Sequence, residues 1–137
     1  MQVRIRHLGD VKFQADAREH RVICDQPASN GGSNAGMTPP EFLLAALGTC
    51  AGYYAAQYLK NHALSSDGLE ILVSAEKLKA PFRLGNFRIE VIAPGLDDAS
   101  QAGVLRAVHA CPVHNTLTHT ADFEAVVNAA AAAPALA

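Results

Sequence analysis

The stretch TPPEFLLAALGTCAGYYAAQYL, Thr38 to Leu59, constrains this chain more than any other. From Phe42 to Leu59 it carries no charge. Thr38 suits an N-cap, Pro39 a first helical position and Glu41 the closing residue of a capping box, so a helix is expected from that cap to about Asn61. Gly48, Thr49, Gly52, Gln57 and three tyrosines break up the apolar run, which is barely long enough to span a bilayer. A helix buried in a protein core is expected instead, with no membrane association. Such a helix, apolar on nearly every side, must be covered from several directions, and a second subunit is expected to supply part of the cover.

The flanking sequence predicts sheets. Val3, Ile5 and His7 alternate with Gln2, Arg4 and Arg6 before a Gly9-Asp10 turn. Val11, Phe13 and Ala15 alternate in the same way, and His20 to Cys24 forms a third short apolar run. DQPASNGGSNAGM, residues 25–37, reads as a loop by composition. Two further strands are expected over Leu69–Leu78 and Phe87–Ala93, joined by APFRLGN. Asp97, Asp98 and Ser100 then offer caps for a second helix through Val104, Leu105 and Val108, which Pro112 ends or replaces with a new turn. A last strand is expected over Phe123–Val127, followed by an Ala-rich tail, 129–137, that should fray. A chain of 137 residues is normally a single domain, here 1–137, and this order gives a mixed α+β fold with antiparallel-leaning sheets on a long helix.

Charge narrows the function. A net charge of −2 with scattered basic residues gives no reason to expect a nucleic-acid partner. MQVRIRHLGDVKF alternates polar and apolar residues, so no signal peptide is expected. Three cysteines, Cys24, Cys50 and Cys111, are too few for a secreted disulfide framework, which points to a cytoplasmic setting with free or redox-active thiols.

Cys50 lies within the apolar helix, where a thiol ordinarily packs as a small hydrophobe. Cys111 lies in HACPVHNTL, ahead of a proline and among His109, His114 and Asn115. Proline at a first helical position would set that thiol beside free helix N–H groups, which favour thiolate. If the two thiols meet, a peroxidatic and a resolving thiol could pass from sulfenic acid to disulfide.

TPPEFLLAALGTC and ACPVHNTL, with GGSNAG just upstream of the helix, resemble the OsmC/Ohr family of osmotically inducible and organic hydroperoxide resistance proteins. The resemblance covers nearly the whole chain and fits a less characterised OsmC-like branch. It implies an OsmC-like fold, an entwined homodimer with the two long helices at its centre, and reduction of organic hydroperoxides at the expense of an external dithiol. Cys50 would be peroxidatic, Cys111 resolving, and Glu41 a carboxylate of the active-site network. No metal and no organic cofactor are implied. Apolar walls from Phe42, Leu47, Tyr53 and Tyr54, with His114 nearby, would suit a fatty or aromatic hydroperoxide.

Two features depart from the family's peroxidase branches. Glu41 and Cys50 are one residue closer in sequence than there, and on a straight helix they would face about 180° apart with roughly 13 Å of rise. Glu41 therefore has two readings, catalytic carboxylate or capping residue. The arginine that activates the thiolate in those branches has its nearest candidates in Arg18 and Arg21 of AREHRV, each also readable as a solvated hairpin charge. Two other functions compete. His109, Cys111, His114 and His119 are residue types that bind zinc, although their spacing matches no strong zinc pattern. A non-enzymatic OsmC-like dimer that binds an apolar ligand, or serves as a slow thiol redox sensor, would show the same helix. Cys24 reads as a core residue or as an intermolecular disulfide partner.

Overall fold

A computed structural model describes residues 1–119 and 121–129. They gather into two compact units, Met1–Phe42 with the stretch from Phe123, and Leu43–Asp122.

The first unit is built on an antiparallel sheet of β1 (Arg4–Gly9), β2 (Lys12–Ala17) and β3 (His20–Cys24), in that order. Gly9 (φ 106°) and Asp10 (φ 48°) make the first turn, where the glycine's freedom in the left-handed region is needed. Register puts Ile5, Ala15 and Val22 in one row and His7, Phe13 and Cys24 in the next, on the same face. That face is apolar and poorly covered, with Ile5 at 58% and Val22 at 47% exposure. The opposite face holds Asp16, whose carboxylate accepts from Gln14 Nε2 at 3.0 Å and Arg21 Nε at 3.1 Å, with Arg6 at 3.5 Å. These partners, Gln14 first and Arg21 next, hold the Asp16 carboxyl below its ordinary range.

The loop after β3 is held by one buried carboxylate. Asp25 accepts from the backbone N–H groups of Gln26 (2.8 Å), Ser33 (3.0 Å) and Ala35 (3.0 Å) and from Ser33 Oγ (2.8 Å). Chief among them the Ala35 N–H, then Ser33, these donors pull Asp25 far below the usual carboxylate range. The chain folds back so closely that Gly32 has no room for a Cβ against the Gln26 carbonyl.

Helix α1 (Pro39–Asn61) begins as the sequence predicts. Half of the expected capping box forms: Glu41 Oε2 accepts from the Thr38 backbone N–H at 2.7 Å and from the Thr38 hydroxyl at 2.9 Å.

The second unit carries most of α1, the hairpin of β4 (Glu70–Lys79) and β5 (Phe82–Ile92), α2 (Asp98–His109) and α3 (Pro112–Thr118). Strand β5 starts five residues earlier than expected. Ala80 and Pro81 alone make the turn, so FRLGN, turn-like in composition, pairs with β4 from Phe82↔Lys79 onward. Asp97 caps α2 by accepting from the Ser100 N–H at 2.8 Å, and Pro112 starts a new helix.

The core of this unit is a narrow stripe. Ala51, Ala55 and Leu59, four residues apart on α1, pack on Val104 and Val108 of α2, with Ile71, Ile89 and Val91 of the hairpin against them. Small residues allow close approach, and a Cβ at Gly103 would overlap the Tyr58 phenol. Each fully buried leucine here contributes about 1.5–3 kcal/mol. Other faces of α1 stay open: Tyr53 is 59% exposed.

The expected strand over Phe123–Val127 is not formed. Residues 121–129 make no ladder with any described strand, and Phe123 (95%) and Val127 (97%) are exposed. Alternating apolar residues favour a strand only where a neighbouring edge accepts the backbone hydrogen bonds. The Ala-rich tail beyond Ala129 lies outside the described residues.

Candidate active site

The second unit brings the two predicted thiols together. Cys50 lies at the middle of α1, and Cys111 is the N-cap of α3. Neither is in a disulfide, Cys111 is fully buried, and the two thiols are close enough to act on each other's protons. The backbone N–H of Val113 also lies close enough to the Cys50 sulfur to favour its thiolate. Pro112 makes this contact available: at the first position of α3 it starts a helix whose early N–H groups have no partner within the helix. The sequence places such a donor beside Cys111, and the structure gives it to Cys50.

These contacts act on the Cys50 thiol in opposite senses. Burial is the largest influence and pushes it up, and the Cys111 thiol pushes the same way. The Val113 N–H pulls down but does not reverse the result, so Cys50 holds its proton more firmly than a free cysteine.

Two imidazoles border the thiol pair in sequence. His109 ends α2, His114 follows Cys111 by one turn, and their rings stack at 5.2 Å with 10° between planes. Parallel stacked rings aim their nitrogens side by side rather than at a common centre. Among the described residues no group of three or more His, Cys, Asp or Glu is placed to hold a metal ion, and His119 turns its Nδ1 to the Asn115 carbonyl at 2.8 Å. The zinc reading therefore gains nothing from the geometry.

A cavity of about 340 Å³ opens between α1, β5, α2 and α3. Leu47, Ile89, Val108 and Leu117 line it together with His109 and His114. Leu47 is one turn before Cys50, so the cavity shares walls with the elements that carry both thiols. His114 Nδ1 is buried and has no hydrogen-bond partner. The sequence marks His109 only as a metal candidate; its place on the cavity wall becomes visible once α2 and α3 are seen to meet at Cys111.

The remaining predicted residues have their own settings. Glu41 is engaged by Thr38, whose N–H and hydroxyl hold its carboxyl below the ordinary range. Arg21 pairs with Asp16. Arg18 occupies the β2–β3 turn with φ 54°. Phe42 lines a second cavity, about 500 Å³ and apolar, with Ile5, Phe13, Val22, Cys24 and Pro39. The Cys24 thiol there is pushed up by burial and by the neighbouring Asp25 charge. Tyr53 meets Tyr54 edge-on at 5.4 Å and is largely exposed. No helix among the described residues is long and apolar enough to cross a membrane.

A family model described as OsmC-like protein matches residues 31–126. No curated protein matches the sequence. Solved structures similar to this chain include one from Psychrobacter arcticus named for an osmotic stress and detoxification response. It has a TM-score of 0.77 and 20% identity, covering 85% of this chain and 87% of that one. An OsmC-like protein of Mycoplasma pneumoniae gives 0.71 and 19%, covering 85% and 86%. An organic hydroperoxide resistance protein OsmC of Legionella pneumophila gives 0.63 and 18%, covering 85% and 89%. At these identities the likeness is one of fold.

Proposed function

The chain belongs to the OsmC-like protein family, and from that premise we propose that it is a thiol-dependent peroxidase that reduces organic hydroperoxides in oxidative-stress defence. The observation that carries this reading is the proximity of the free Cys50 and Cys111 thiols, close enough for each to act on the other's proton. A sulfenic acid formed on Cys50 would already have its resolving thiol at hand. The Legionella relative, named an organic hydroperoxide resistance protein, supports the same chemistry by analogy.

Cys50, as thiolate, attacks the outer oxygen of the hydroperoxide, the O–O bond breaks, and an alcohol leaves while Cys50 becomes a sulfenic acid. The Cys111 sulfur then attacks the Cys50 sulfur, water leaves, and a disulfide closes. An external dithiol returns both thiols by exchange through a mixed disulfide. No metal or organic cofactor enters the cycle. Glu41 serves in this scheme as a helix-start residue, since its carboxylate is committed to Thr38.

The working protein is a homodimer. The uncovered Ile5, Phe13 and Val22 face and the exposed Tyr53 on α1 are apolar surface that a second copy would bury. Sedimentation of the purified chain tests this, and a monomer at micromolar concentration would refute it.

One observation favours a slower, non-enzymatic role: Cys50 holds its proton firmly. Consumption of cumene hydroperoxide with dithiothreitol separates the two. Turnover by the wild type that Cys50→Ser abolishes supports the peroxidase, and equal rates for the two proteins leave the redox-sensor reading.

A further inference from the structure

We propose that His114 is a catalytic residue of this reaction, taking the proton from the Cys50 thiol and delivering it to the departing alcohol oxygen. The inference rests on the peroxidase reading and assigns to one side chain the proton transfers that reading requires.

Three observations converge on His114. His114 is the next residue along from Val113, whose backbone N–H acts on the Cys50 sulfur. The imidazole forms part of the wall of the 340 Å³ cavity, the space in the second unit that shares walls with both thiol-bearing elements. Its Nδ1 is buried without a hydrogen-bond partner, so no other group of the protein competes for a proton there. His109, stacked on it at 5.2 Å, is exposed and has no such orphaned nitrogen.

The chemistry calls for such a group. Only a thiolate attacks a peroxide, and the Cys50 thiol is not spontaneously ionised in its setting. Once the O–O bond breaks, an alkoxide is a poor leaving group unless it is protonated. Imidazole is the side chain suited to both taking up and giving back a proton around neutral pH. Neutral His114 takes the thiol proton; the sulfur electron pair forms the S–O bond to the outer oxygen; the O–O electron pair leaves on the inner oxygen. Imidazolium then protonates that oxygen, and His114 is neutral again. The sum is Cys50–SH plus ROOH giving Cys50–SOH plus ROH, with peroxide reduced and sulfur oxidised.

The test compares two oxidants that differ in the need for that second proton. Single-turnover formation of Cys50 sulfenic acid, trapped with dimedone and read by intact mass, is followed in full-length Cys111→Ser protein with and without His114→Asn. tert-Butyl hydroperoxide must expel an alkoxide, whereas peracetic acid expels acetate, which leaves unprotonated. His114→Asn should slow the alkyl hydroperoxide by about 10²-fold or more, the ordinary worth of general acid–base catalysis. It should slow the peracid clearly less, because only the base's share is lost. Equal slowing of both, or slowing of neither, overturns the proposal. A second reading needs no substitution at His114: with His114 intact, the rate should depend only weakly on leaving-group basicity across a hydroperoxide series, and a steep dependence overturns the proposal. If that protein forms no sulfenic acid with any oxidant, the peroxidase reading itself falls, and this inference with it.

Discussion

Cys50 on α1 and Cys111 at the start of α3, far apart in the chain, meet closely enough for each thiol to act on the other's proton, and the Val113 N–H acts on the Cys50 sulfur as well. Loss of Cys111 should therefore change the fate of the oxidised state. In Cys111→Ser protein the Cys50 sulfenic acid should persist and react with dimedone, whereas wild type should escape labelling by closing the disulfide. Equal labelling of the two proteins would contradict the resolving role.

The balance of forces on Cys50 predicts a pH profile. Its thiol lies above the ordinary value of 9.0, so the thiolate fraction should keep growing through neutral and mildly alkaline pH. In Cys24→Ser/Cys111→Ser protein, alkylation by iodoacetamide should rise without a plateau up to pH 9. A plateau near pH 6 or 7 would mean that a cation reaches the sulfur in the assembled protein.

Packing predicts where the fold is vulnerable. Leu59 is fully buried against α2, so Leu59→Ala should cost about 2–5 kcal/mol in urea unfolding. Gly103→Val should also destabilise, because the added side chain would meet the Tyr58 ring.

The Asp25 loop predicts acid sensitivity with a defined sign. Asp25 has a depressed folded-state pKa, so its contribution is present in full above the unfolded carboxyl value near 3.8 and fades as pH falls toward the folded value. Asp25→Asn should lower the thermal midpoint at pH 7, and the gap to wild type should narrow below pH 4. A gap that is constant from pH 7 to pH 3 would contradict the linkage.

Glu41 carries a separable prediction. Glu41→Ala removes the acceptor for the Thr38 N–H and hydroxyl and should lower the thermal midpoint. The rate of Cys50 oxidation should be unchanged, and a large fall in that rate with an intact fold would restore Glu41 to the active site.

Much of the fold is legible in the sequence because local signals agree with tertiary need. TPPE marks the start of α1, Asp97 caps α2, period-two alternation marks β1 and β2, and a short apolar run marks β3. The failures occur where the deciding partner is remote. FRLGN has the composition of a turn, yet β4 recruits it as strand; Phe123–Val127 has a strand pattern with no described edge to join. The thiols are identifiable through their motifs, but their meeting depends on how α2 and α3 turn at Cys111. The Val113 N–H and the buried Nδ1 of His114 have no sequence signal beyond the Cys-Pro step, since each is a matter of which backbone or ring atom faces inward.

The most direct measurement is intact mass and peptide mapping of the purified, reduced protein after one equivalent of cumene hydroperoxide. The account predicts loss of two hydrogens and a Cys50–Cys111 disulfide within one chain, with Cys24 still free. A chain that remains reduced, or that oxidises only at Cys24, would contradict it.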